Sequence, residues 1–413
     1  MIQRLLRENL TFRHFWTAQT ISLVGDQISL IALPLAAVLV LHAHAAEMGY
    51  LTAAALAPNL LFSLHFGAWI DRRGRRREAM IAADVGRAAV TLTVPVAYAF
   101  GALTMEHLYA AAFLTGTLSV LFAVSYNTLF VSIVPREEYI EANQLLNGSR
   151  AVSYAGGPSI GGVLVQALSA PVALVADAVS FLGSAFFLRR ISPPEPPAEE
   201  RARGHLADGS RFVWTEPTIR ASLLATATIN FFNFVFFALF VLFATRELHV
   251  RPGILGLVLG AGAAGGVIGA AVVGRVVRRI GVGAAFVLGC ALFPAPLLLV
   301  PLASGPYAVV LLMLFAAEFG SGLGVMILDI AGGSIKQALV PDRLRARVSG
   351  AYMVVNYGVR PLGGLAGGWL GSAIGLRETL WIATAGALLG VLFLLPSPLP
   401  RMRELPQPAS YPA

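Results

Sequence analysis

The chain has 413 residues, 57% of them hydrophobic and only 13% charged, with a formal net charge of +8 and a mean hydropathy of +0.73. A soluble domain of this size would need far more charge to cover its surface. The basic excess sits in short segments between apolar runs, which argues for membrane topology and against nucleic-acid binding.

In chain order the apolar runs predict spans over 12–41, 48–70, 78–101, 107–134, 140–168 and 171–190, then 218–246, 252–274, 283–303, 306–336, 344–373 and 376–396. Each is long enough for a membrane-crossing helix of about 20 residues, and none alternates as a barrel strand would. The fold class is therefore all-α integral membrane, with twelve transmembrane helices. The first run carries Asp26 and has no clear cleavage site after it, so it reads as a retained span rather than a signal peptide.

The domains predicted are a six-helix bundle over 1–190, a linker over 191–217, a second six-helix bundle over 218–400 and a tail over 401–413. The linker opens with Pro193, Pro194, Pro196 and Pro197, and its part from Ala198 to Trp214 suits a short interfacial helix. Arginines set the orientation. With the N-terminus in the cytoplasm, the predicted inside segments hold Arg72, Arg73, Arg75, Arg76, Arg77 and most of the others, and the outside loops hold only Arg246, Arg251 and Arg377. Both termini then face the cytoplasm.

The halves echo each other. Gly67, Arg72 and Gly74 recur as Gly274, Arg279 and Gly281, 207 residues on, and Pro158 with Gly161 is matched by Pro361 with Gly364, 203 residues on. Two echoes in the same order at similar offsets point to duplication of a six-span unit, a pattern common among transporters.

These features resemble the major facilitator superfamily. The run Gly67-x-x-x-Asp71-Arg72-x-Gly74-Arg75-Arg76 is similar to that superfamily's loop motif between helices two and three. Gly157-Pro158-x-x-Gly161-Gly162 looks like the core of its antiporter-associated motif in helix five, although Gln144 and Ser153 replace upstream glycines of the full pattern. Gly25-Asp26-Gln27, Ala83-Asp84-x-x-Arg87, Val134-Pro135 and Ala142-Asn143 are similar to the bacterial macrolide-efflux and enterobactin-exporter (transmembrane secretion effector) branch. The resemblance implies two pseudo-symmetric bundles, a location in the cytoplasmic (inner) membrane and alternating access. It also implies a small-molecule substrate, such as a drug, macrolide or siderophore, exported in exchange for protons. The partners are then substrate, protons and the lipid bilayer, with the protein acting as a monomer. An importer, uniporter or lipid flippase on the same fold is the alternative, and a non-transporting receptor is a further one.

Charges within spans are costly and mark functional candidates. Asp26 and Glu318, near the middles of the first and tenth spans, are the proton-coupling candidates. Gly67, Asp71, Arg72, Gly74, Arg75 and Arg76, with Asp84 and Arg87, are candidates for a conformational latch, the last two pairing at i,i+3. The resemblance would place Asp71 at the N-terminus of the eleventh helix, where the dipole favours an anion. Gly157, Pro158, Gly161 and Gly162 carry no titratable group and suit a packed hinge, with the glycine-rich eighth span as its partner. Asn230, Asn233, Arg150 and Arg360 are cavity candidates, with Asp177 and Asp329 as possible partners for the arginines. The single Cys290 reads as a small buried hydrophobe. No metal-ligand spacing, phosphate loop or Ser/His constellation points to a metal, a cofactor or an enzyme.

Overall fold

The computed structural model describes residues 5–7, 9–192 and 206–405. Among them twelve long helices follow one another: α1 Leu10–Leu39, α2 Ala45–Arg73, α3 Arg76–Ala99, α4 Met105–Ile133, α5 Tyr139–Ala167, α6 Ala170–Arg189, α7 Pro217–Arg246, α8 Pro252–Ile280, α9 Val282–Leu302, α10 Tyr307–Leu339, α11 Asp342–Ile374 and α12 Leu376–Phe393. Nine are apolar and long enough to cross a membrane by length and composition. The other three, α2, α5 and α11, have matching length, and α5 and α11 carry more charged and amide side chains than any of the nine, Arg150 and Arg360 among them. At 1.5 Å per residue a 30-residue helix is about 45 Å long, against a hydrocarbon core of about 30 Å.

Helix ends follow local chemistry. Asn9 caps α1 by accepting from the Phe12 N–H at 2.8 Å, and Thr104 caps α4 by accepting from the His107 N–H at 3.3 Å. The paired glycines of the repeat both end a helix at positive φ, Gly74 in the left-handed helical region at ψ −5° and Gly281 in extended backbone at ψ 160°. Gly74 stops α2 at φ 67°, and Gly281, 207 residues on, stops α8 at φ 91°. Each lies in backbone space that side chains with a Cβ disfavour. Pro158 and Pro361 both sit inside their helices, α5 and α11.

The span predicted over 283–303 is interrupted. Pro294 and Pro296 end regular helix after Leu292, and a 3-10 turn Ala295–Leu298 leads to a last short turn, Leu299–Leu302. The interfacial helix predicted from Ala198 lies partly outside the described residues. Within them a helix runs over Leu206–Thr215, and its Val213 packs with Val348 and Tyr352 of α11.

The chain divides into two compact units, residues 1–202 with 249–260, and residues 203–248 with 261–413. In the first, α1 packs against α5 and α6, α3 against α4 and α6, and α2 against α4. Its core gathers Phe12, Phe15, Met80, Phe122 and Leu129. The glycines of α5 face two neighbours. A Cβ at Gly161 would stand 3.0 Å from the Ile28 Cα of α1, and one at Gly162 would stand 3.0 Å from the Gly256 Cα of α8. Small residues therefore let α5 touch α1 on one side and the first turns of α8 on the other. In the second unit α7 packs against α11 and α12, and α9 against α10. Cys290 is fully buried there, among Phe286, Ala331 and Ile335.

Candidate functional site

In the first unit a buried charge cluster forms where α1, α3, α4 and α6 meet. Arg87 of α3 is 2% exposed, and Asp84, one turn earlier on the same helix, is closed from solvent. The Arg87 guanidinium donates to Asp84, lies 3.5 Å from the Asp26 carboxylate of α1, and donates to the Ser22 hydroxyl at 3.5 Å. Its faces are covered by Phe122 of α4 at 4.5 Å and Phe181 of α6 at 4.2 Å. The aromatic faces stabilise the cation while excluding water. One oxygen of Asp84 and the Nε of Arg87 have no hydrogen-bond partner among the described residues.

A third carboxylate stands nearby. Asp177 of α6 is 1% exposed and accepts hydrogen bonds from Ser29 of α1 and from Ser180 at 3.2 Å. The close approach of α1 and α6 depends on Gly25, where a Cβ would stand 2.6 Å from the Ser180 Cβ. The Gly-Asp pair at 25–26 thus brings two helices together and places a carboxylate beside their contact.

Asp26 is the open member of the cluster. Its side chain is 39% exposed, into a cavity of about 390 Å³ lined also by Gln19, Arg87, Phe122, Tyr126, Asn127 and Arg150. Arg150 therefore reaches an open cavity, as a charge in a span requires. Asp177, considered as its partner from sequence, is engaged with two serines instead.

Asp84 and Arg87, grouped from sequence with the loop latch, belong geometrically with Asp26. Arg87 is twelve residues past Arg75, about 18 Å along the helix from the loop, and it forms ion pairs with Asp84 and Asp26. The i,i+3 spacing revealed the pair but not the third member, which comes from another helix. In the loop itself Arg75 pairs with Glu78 at 3.3 Å on the surface, Arg72 is exposed, and Gly67 faces open space. Arg77 donates to the Arg189 carbonyl at 3.3 Å. The Asp71 side chain lies outside the described set.

Glu318 of α10 is half-buried against α8, its carboxylate placed where a Cβ on Gly262 would come within 3.3 Å of it. It lines neither this cavity nor the second one, which lies in the second unit. That cavity, of about 200 Å³, is lined by Asn230 of α7, Asp329 and Lys336 of α10, and Tyr352, Asn356 and Arg360 of α11. Asn230 donates to the Asn356 side chain at 3.0 Å, whereas Asn233 is not among the lining residues. Phe122, Tyr126 and Gln19 were not legible as site residues, since an aromatic or a lone amide in an apolar run carries no signal of its own. Among the described residues no group of three or more His, Cys, Asp or Glu side chains is arranged to hold a metal ion.

A sequence profile described as the Major Facilitator Superfamily matches residues 15–364 and 223–410. The chain belongs to the Major Facilitator Superfamily, and it is a membrane transporter rather than an enzyme. It is 28% identical to the multidrug efflux pump Tap of Mycolicibacterium fortuitum, over 92% of this chain and 93% of that protein. It is 27% identical to the multidrug efflux pump Tap of Mycobacterium tuberculosis (strain ATCC 25618 / H37Rv), over 94% and 93%. Among solved structures, a bacterial homologue of the iron transporter ferroportin, in an inward-facing state, superposes with a TM-score of 0.77. It has 18% identity and covers 95% of this chain and 98% of that one. The nucleoside transporter NupG superposes at 0.72 with 12% identity, covering 94% and 98%. At such identities the structural likeness establishes the fold alone.

Proposed function

We propose that the protein exports an amphipathic small molecule across the cytoplasmic membrane, by alternating access and in exchange for protons. The observation that carries this reading is the shared guanidinium: Asp26, open to a polar cavity, and Asp84, sealed behind it, both lie against the one buried Arg87. With both carboxylates ionised, the trio carries one negative charge more than positive. Uncompensated charge is costly in a low-dielectric interior, so a proton from the cavity side relieves it. Asp84 has no such access, and Asp26 is therefore the carrier. A proton on Asp26 weakens its hold on Arg87, which stays with Asp84 and the two rings. Loss of the proton restores the link between α1 and α3. A change of link between two packed helices is the kind of local event that biases a two-state transporter.

Efflux as the direction is supported by the relatives named as multidrug efflux pumps. A cavity with Phe122 and Tyr126 beside Gln19, Asn127 and Arg150 suits a ligand with both apolar and polar faces. In this reading the loop residues Gly67, Asp71, Arg72, Gly74, Arg75 and Arg76 act as the latch, and both termini are cytoplasmic. Gly157, Pro158, Gly161 and Gly162 hold α5 against its neighbours while the transporter cycles.

The test is transport by purified protein in proteoliposomes, using a compound selected by the susceptibility profile of a gene deletion. A proton gradient should drive uptake into vesicles of inverted orientation and collapse of the gradient should stop it. Transport indifferent to the gradient would favour a uniporter and remove the antiport assignment.

A further inference from the structure

The second cavity holds more positive than negative charge, and Thr226, Asn230, Tyr352 and Asn356 of its lining satisfy one another. Asn230 donates to the Thr226 carbonyl at 2.9 Å and to Asn356, and Asn356 donates to the Tyr352 carbonyl at 3.1 Å. The Tyr352 hydroxyl is 2.7 Å from that of Thr226 and 3.2 Å from that of Ser222. Left over are two cations and one carboxylate. The Lys336 ammonium lies 4.2 Å from the Tyr352 ring, and the Arg360 guanidinium lies 4.3 Å from the Tyr357 ring and 5.2 Å from the Phe234 ring. The Nε of Arg360 is buried without a hydrogen-bond partner among the described residues. Aromatic faces hold the two cations in place without neutralising them, and Asp329, on the same wall, balances only one.

We propose that this pocket is a recognition site for an oxyanion, the carboxylate of a small amphipathic ligand. It rests on the export reading only in taking that ligand to be a substrate. A guanidinium presents planar paired donors matched to a carboxylate, and the ammonium adds a point charge. The rings of Tyr357 and Phe234 hold the Arg360 guanidinium in place, and Tyr357, with Phe286 and Met353 of the lining, offers an apolar wall to the rest of the ligand. One bound carboxylate brings the charge of Lys336, Arg360 and Asp329 to zero, which removes the cost of an unbalanced cation within the membrane span.

The experiment is calorimetric titration of the purified full-length protein, in detergent and without any gradient, with 4-phenylbutyrate and its amide, 4-phenylbutyramide. The wild type should bind the acid at least tenfold more tightly than the amide. Arg360→Gln and Lys336→Gln should each erase that preference, and Arg360→Lys should restore part of it. Asp329→Asn should tighten the acid, a gain that misfolding cannot mimic. Equal binding of acid and amide, no binding of the acid, or weaker acid binding in Asp329→Asn would each overturn the proposal. Displacement of the acid by phosphatidylglycerol but not by excess benzoate would assign the pocket to a lipid headgroup and overturn the substrate assignment. Since no proton gradient is involved, failure here leaves proton-coupled export standing, and failure of proton-coupled export leaves the preference for the acid standing.

Discussion

Arg87 of α3 reaches Asp26 of α1 at 3.5 Å while holding Asp84 one turn earlier on its own helix, so a single buried cation joins a carboxylate that meets the cavity to one that does not. The asymmetry gives the three side chains different consequences on substitution.

Replacing Asp26 by Asn keeps the volume and a hydrogen-bonding oxygen but removes the titrating group. Because Asp26 is partly exposed to the cavity and Asp84 still neutralises Arg87, the fold should survive, with a melting temperature within a few degrees of wild type. Substrate binding should persist, and transport driven by a proton gradient should fall at least tenfold. Thermal unfolding and vesicle uptake on the same preparation check both halves of this statement.

Arg87→Ala should behave in the opposite way. It strips the partner from the sealed Asp84, and removing one member of a buried ion pair costs about 3–5 kcal/mol. A marked fall in melting temperature and in yield of folded protein is the expected result. The double change Arg87→Ala with Asp84→Ala should recover part of the loss, since the stranded charge is gone.

Glu318→Gln separates the two membrane carboxylates that the sequence offers for coupling. Glu318 faces the Gly262 side of α8 and lines neither cavity. Proton-driven uptake by Glu318→Gln should stay within about twofold of wild type. Loss of coupling in this variant, with coupling intact in Asp26→Asn, would move the proton carrier to α10.

Gly161→Leu tests the helix-five packing. A branched side chain where a Cβ already meets the Ile28 backbone at 3.0 Å must push α1 away from α5. Overpacking of this kind costs about 1–3 kcal/mol. Lower thermal stability, with a larger drop than Gly156→Leu produces where the space is open, is the measurement that checks it.

The architecture was legible because its cause is simple: long apolar runs in a chain with little charge leave helices as the solution, and Gly74 and Gly281, both at positive φ, each end a helix. The break in α9 is not legible from hydropathy, because the apolar run continues through Pro294 and Pro296, whose missing N–H groups cause it. The site was legible only in part. A carboxylate in an apolar span announced Asp26, and spacing announced Asp84 with Arg87. That these belong together depends on the packing of α1 against α6 and of α3 against both α4 and α6, which periodicity along one helix cannot express. For the same reason Phe122 and Phe181 looked like ordinary core, and Asn230 and Asn233 looked equivalent when only Asn230 lines the cavity.

Counting protons most directly tests the central claim that Asp26, poised on Arg87, exchanges a proton for substrate. Purified protein in weakly buffered detergent solution, mixed with saturating substrate and followed with a pH-sensitive dye, should release about one proton per molecule in the wild type. Asp26→Asn should release none while still binding the compound. Release from Asp26→Asn equal to that of the wild type would contradict the account.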